Sequence, residues 1–117
     1  MTAPFVGAVV EPHRARARLP RAHLATLCEG HFPHDPIVPG AYVAGLMAEL
    51  AAMLPAVRDS QRALAAVERC TFLAPLRPAD DVFFTVATPA GSTEGVTIDA
   101  QVHAGAVCVA RGRLRFA

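Results

Sequence analysis

Two histidines and an aspartate lie in a loop that carries three prolines, Gly30–Ala41 (GHFPHDPIVPGA), and a long apolar segment begins where that loop ends. Histidine titrates near neutrality, so His31 and His34 suit proton transfer. Pro33, Pro36 and Pro39 fix backbone angles and limit loop entropy, which would hold an imidazole in place. A helix starting at Gly40 would offer unpaired backbone N–H groups and the positive end of its dipole. Glycine at that point lets a carbonyl come close to the backbone. Glu49 is the one charged residue in the segment GAYVAGLMAELAAMLPA, where an unpaired buried carboxylate would be costly. Together these groups could move protons next to a carbonyl whose oxygen is held as charge builds on it.

Other chemistries fit less well. His23, Cys28, His31, His34 and Asp35 could be read as a metal cluster. The H-x-x-H spacing is not on a helix, however, and prolines interrupt its geometry, so no metal is expected. Cys28, three residues before His31, could be a thiol nucleophile; a buried, inert cysteine is the expectation. Tyr42 falls in the first helical turn, where packing is the default and lining a channel is the alternative. Asp80 is expected to stabilise a turn, and His103 to lie exposed at a hairpin.

The flanking sequence must supply what positions the loop. Phe5–Val10 reads as a strand. Residues 13–19 (HRARARL) alternate, with Arg14, Arg16 and Arg18 on one side and His13, Ala15, Ala17 and Leu19 on the other, which is the period of a strand with one wet face. LPRAHLATLCEG predicts a short turn or helical bend. The segment from Gly40 to Pro55 predicts a helix, apolar all round and therefore buried all round, with Pro55 closing it. Ala63–Leu73, Asp81–Thr88, Glu94–His103 and Ala106–Phe116 read as strands separated by turn signals. Gly105 marks a tight hairpin between the last two. Strand, strand, buried helix and four more strands predict an α+β fold, an antiparallel β-sheet wrapped around one long central α-helix. Such a sheet leaves an edge open, and a two-fold pairing that shields edge and helix predicts a dimer.

The totals agree with a single domain over residues 1–117. Apolar residues make up 53% of the chain and charged residues 18%, which excludes disorder. A net charge of +1 argues against a general nucleic-acid binder. Three cysteines without CxxC spacing argue against a disulfide framework and for a reducing, cytoplasmic setting. The N-terminus lacks the pattern of a secretion leader, and the longest apolar run is too short for a membrane span.

The proline loop resembles the signature of the 3-hydroxyacyl-[acyl-carrier-protein] dehydratases, which have the hotdog fold. Their motif runs Gly-His-Phe-Pro-Gly, about two residues, then Pro-aliphatic-x-Pro-Gly ahead of the central helix. Gly30, His31, Phe32, Pro33, Pro36, Ile37, Pro39 and Gly40 match it in register. CTFLAPLRPADDVFF adds Phe72, Pro75, Pro78 and Asp80, with Ala79 where glycine is usual, and GAVCVARGRLRF resembles the closing strand. The resemblance implies that His31 is the catalytic histidine and that the substrate is a 3-hydroxyacyl thioester on acyl carrier protein or coenzyme A. It implies a site lined by Phe32, Pro39, Gly40, Ala41, Tyr42 and Gly45, with no cofactor. In related dimers the histidine and the acid come from different chains. The implied assembly is a homodimer or higher homo-oligomer, or a heterodimer with a related hotdog subunit.

One departure stands out. The family's second catalytic group is a Glu or Asp fourteen residues after the histidine, and here that position is Gly45. His34, where glycine is usual, is a second departure. Three readings follow. Another acid takes over, with Glu49 the choice because it shares the helix face of Gly45 one turn deeper, or with His34 or Asp35 serving instead. Alternatively, the chain is a non-catalytic or acyl-binding subunit, active only beside a chain that carries the acid. In the third reading, the fold serves thioester hydrolysis. Gly45 also has a plain explanation, close packing against a strand. Arg14, Arg16, Arg18, Arg21 and Arg77 are candidates for a basic rim that would receive an acidic carrier protein.

Overall fold

The computed structural model describes residues 4–30, 37–78, 81–89 and 96–117. Six strands, β1 (Val6–Val10), β2 (Arg14–Leu19), β3 (Leu64–Phe72), β4 (Val82–Ala87), β5 (Val96–Ala104) and β6 (Val107–Phe116), accompany helices α1 (Arg21–Leu27), α2 (Gly40–Ala51) and α3 (Pro55–Arg58). They form one sheet in the order β1-β2-β4-β5-β6-β3. Every neighbouring pair runs antiparallel. The sheet curls over α2, which touches β2, β3, β4 and β5.

Period-two patterning explains how the sheet faces the helix. On β2, Ala15, Ala17 and Leu19 are buried while Arg14, Arg16 and Arg18 are exposed. On β4, Val82, Phe84 and Val86 are fully buried. His13 lies outside β2, exposed, with Nδ1 3.0 Å from Thr88 Oγ1. Gly105 turns the β5–β6 hairpin at φ +59°, a conformation that glycine adopts without strain. His103 is half-buried inside β5, opposite Cys108, and so is not at the exposed hairpin tip.

The helical segment departs from expectation in two ways. It stops at Ala51, and Pro55 opens α3 at its first position, where a missing N–H costs nothing. Nor is α2 enclosed. Val43, Leu46, Met47, Leu50 and Ala51 are buried, but Ala41, Tyr42 and Gly45 are exposed, Tyr42 by 47%. One curled sheet can cover only one side of a cylinder.

Candidate active site

Pro39 precedes α2 in an extended conformation, and no side chain caps the helix. The Pro39 carbonyl accepts the N–H groups of Tyr42 at 3.0 Å and Val43 at 3.3 Å. The Gly40 and Ala41 N–H groups have no such acceptor among the described residues, so this end of the helix can receive an oxygen carrying negative charge. Gly40 also permits a close approach. A Cβ on it would lie 2.9 Å from Cζ of Phe72. An apolar cleft of about 410 Å³ opens here, lined by Ile37, Val38, Gly40, Val43, Phe72 and Val109 among others.

A second pocket, of about 290 Å³, lies along the open face of α2 between Pro4, His23, Tyr42, Gly45, Leu46 and Glu49, among others. Glu49 is half-buried, and its Oε2 is shielded from solvent with no hydrogen-bond partner among the described residues. Such an oxygen is costly to leave idle, and it is free to engage a hydroxyl that enters the pocket. Gly45 does not pack against a described strand, contrary to the plain explanation, since no described residue lies within 4 Å of a Cβ placed there. The space that a larger side chain would fill stays open above Glu49.

Helical rise separates these groups along α2. Position 45 lies about 7.5 Å beyond Gly40, and Glu49 about 6 Å further.

The structure brings Tyr42, Gly45 and Glu49 into one pocket with Ala41, and places Gly40 in the adjoining cleft. His31, Phe32, His34 and Asp35 lie outside the described residues, as does Asp80. Of the residues that could be read as a metal cluster, only His23 and Cys28 are described, and no group of three or more His, Cys, Asp or Glu that could hold a metal occurs among the described residues. Cys28 is buried, and burial pushes its thiol up from the usual range, which disfavours the nucleophilic thiolate. His23 was not expected at the site. The available signal was its spacing from Leu27, four residues on, which puts both on one helix face and both in the pocket. Arg14, Arg16 and Arg18 are on the sheet face opposite α2, so they do not rim the helix pocket directly.

The ApeI-like family model, described as ApeI dehydratase, matches residues 9–112. The 3-hydroxyacyl-[acyl-carrier-protein] dehydratase FabZ of Chlamydia muridarum is 31% identical over 93 residues, covering 74% of this chain and 61% of that relative. FabZ of Chlamydia trachomatis serovar D matches with the same identity and coverage. The chain thus spans about 61% of the length of these curated relatives. Among solved structures, the dehydratase heterocomplex ApeI:P from Xenorhabdus doucetiae superposes with a TM-score of 0.78 at 16% identity, covering 99% of this chain and 98% of that one. AziG of S. sahachiroi gives 0.71 at 22% identity, covering 96% and 86%. Thioesterase superfamily member 2 of Mus musculus gives 0.69 at 13%, covering 96% and 88%. At such identities the likeness is one of fold, and the hotdog architecture expected from the sequence is the one observed.

Proposed function

The chain belongs to the ApeI-like dehydratase family, and from that premise we propose that it removes water from 3-hydroxyacyl thioesters to give 2-enoyl thioesters. The observation that carries the proposal is Glu49, whose unpartnered carboxylate oxygen lines a pocket next to the vacant position of Gly45. His31 takes the proton from the carbon beside the thioester carbonyl. The carbonyl oxygen, gaining charge, is held by the Gly40 and Ala41 N–H groups at the start of α2. Glu49 of the partner subunit gives a proton to the departing 3-hydroxyl, which leaves as water while the double bond forms; on one helix Glu49 lies about 13.5 Å beyond Gly40, too far for a single 3-hydroxyacyl group to reach both. A proton passed back from His31 to Glu49 resets the pair. The apolar cleft beside Gly40 suits the acyl chain, because every residue that lines it is apolar. Elimination next to a carbonyl uses only an acid, a base and an oxyanion site.

The 3-hydroxyacyl group would arrive on acyl carrier protein, the carrier in the name of the FabZ relatives, or on coenzyme A. The open face of α2 and the edge strand β3, with Leu64 and Val67 exposed, suit a second hotdog subunit. That subunit is a copy of this chain in the first reading.

A second reading has one specific support: the ApeI:P neighbour is a heterocomplex. In it, the partner is a related hotdog chain that supplies the carboxylate missing at Gly45.

One assay separates the two. Purified protein is incubated with a 3-hydroxyacyl thioester and formation of the conjugated enoyl product is followed. In the first reading the chain turns over alone, His31→Ala abolishes product, and Glu49→Gln lowers kcat by at least about 100-fold. Undiminished turnover by Glu49→Gln removes Glu49 from the mechanism. Product only after a related hotdog chain is added favours the heterodimer. Release of free thiol without enoyl product indicates hydrolysis and overturns both.

A further inference from the structure

Helix α1 carries one half-buried polar side chain, His23. Leu24, and Cys28 just past the helix end, anchor α1 in the core at 0% and 6% exposure. The His23 N–H donates to the Pro20 carbonyl at 3.0 Å, which fixes its backbone in the first turn. Leu27, one turn on, joins His23 on the wall of the Glu49 pocket. Pro4 lines the same pocket, and the next residue, Phe5, is pinned to the core, its ring edge-on to Phe84 with centres 5.2 Å apart.

Of the residues that line this pocket, only His23, Tyr42 and Glu49 have polar side chains. Tyr42 lies seven residues before Glu49 on α2, about 10.5 Å away by helical rise. His23 comes from the other helix. Its ring makes no hydrogen bond with any described residue, and no ion pair joins it to Glu49. An imidazole and a shielded carboxylate oxygen therefore share one small, largely apolar space, both unused.

We propose that His23 binds the 3-hydroxyl group of the substrate, which sits between His23 and Glu49 of one chain. A hydroxyl is both donor and acceptor. When its oxygen accepts the Glu49 proton, its own hydrogen still needs an acceptor. A neutral imidazole has one unprotonated ring nitrogen that can take it. Gly45 has no side chain to do so, and Tyr42 is two helical turns from Glu49. A hydroxyl hydrogen left unpaired in an apolar pocket weakens binding, so an acceptor on the α1 wall favours ligands that carry the hydroxyl over those that lack it. When the C3–O bond breaks, the oxygen departs as water with two hydrogens, its own and the one from Glu49. His23 neither gains nor loses a proton in this step; it orients the oxygen so that a lone pair meets the Glu49 proton.

This role rests on the dehydratase reading for its reaction. His23 then belongs to the subunit that supplies Glu49, and His31 to the other. Capture of a hydroxyl between the two side chains does not depend on that reaction. A metal ion is a poorer occupant, since no group of three ligand side chains occurs among the described residues.

The test uses one acyl group on N-acetylcysteamine, with and without the 3-hydroxyl. His23→Leu keeps an apolar wall and accepts no hydrogen bond. His23→Gln and His23→Asn each return an acceptor oxygen, near one ring nitrogen or the other. On the 3-hydroxyacyl thioester, His23→Leu should lower kcat/KM about tenfold or more, mainly by raising KM. Either His23→Gln or His23→Asn should recover to within about threefold of wild type. Unchanged kcat/KM in His23→Leu overturns the inference, and so does an equal fall in all three variants, which marks a structural role. The wild-type protein supplies a second readout that no substitution can disturb. With histidine-labelled protein, the NMR signal of the His23 ring should move when the 3-hydroxyacyl thioester is added and stay in place with the 3-deoxy thioester. No movement, or equal movement with both, overturns the inference. If wild type forms no enoyl product while the His23 signal responds only to the hydroxylated thioester, the dehydratase reading fails and the hydroxyl site stands.

Discussion

Two faces of α2 are built from the same kind of residue and do opposite jobs. Val43, Leu46, Met47, Leu50 and Ala51 are each 6% exposed or less, pressed against the inner face of the curled sheet. Ala41 and Gly45 are no more polar, and Tyr42 adds only a phenol, yet they stand open, and between them and α1 lies the pocket that holds Glu49. The closed face supplies stability through burial of hydrocarbon. The open face leaves apolar surface uncovered, a state that soluble proteins tolerate where something else binds. The difference teaches that the helix was not made apolar for the core alone.

The contrast can be broken most forcefully from the closed side. Leu50 is fully buried, so Leu50→Ala should cost about 2–5 kcal/mol and lower Tm by roughly 10 °C or more, as read by thermal unfolding. A loss under about 1 kcal/mol would mean the sheet does not grip the helix as described.

Gly40, at the junction of the two faces, has a smaller and conditional effect. Its missing Cβ leaves room for Phe72, whose half-exposed ring can swing aside. Gly40→Ala should therefore destabilise by about 1 kcal/mol in wild type and become neutral or stabilising in a Phe72→Ala background. A double-mutant cycle by denaturant unfolding should return a coupling of about 0.5 kcal/mol or more. Strict additivity would show that the ring and the helix start are independent.

Gly45 sharpens the comparison by reversing the sign. With open space around a Cβ, Gly45→Ala should stabilise the chain by up to about 1 kcal/mol through helix propensity, while narrowing the way to Glu49. Higher Tm together with lower kcat/KM is the expected pair of readouts. A fall in stability would mean that a neighbouring subunit packs tightly onto position 45 and leaves no opening to Glu49.

Much of the scaffold was legible from one dimension. The alternation in HRARARL gave β2 and its buried alanines, because successive strand side chains point to opposite faces whatever the partner strand. The turn at Gly105 was legible because few residues other than glycine adopt that backbone angle readily. The family resemblance in the proline loop pointed to the helix start and to Gly45 as the missing carboxylate. Less legible was the role of His23, considered only as a metal ligand, since its place in the pocket depends on how α1 lies against α2. The arginine row of β2 was visible as a row, but that no described carboxylate pairs with it was not. Pairing depends on what the neighbouring strand holds opposite: Ala87, Thr85 and Phe83 for β2, but Asp99 opposite Arg113 on β5.

The sequence alone determined the elements, their order and the residue types available for acid–base chemistry, because periodicity, turn stereochemistry and motif spacing are local properties. Only the tertiary structure decided which side of α2 stays open and, among the described residues, that a Glu49 oxygen has no partner and which arginines lack carboxylates. Those depend on the curvature and register of a sheet assembled from strands far apart in the chain, and no local pattern encodes which distant side chains will meet.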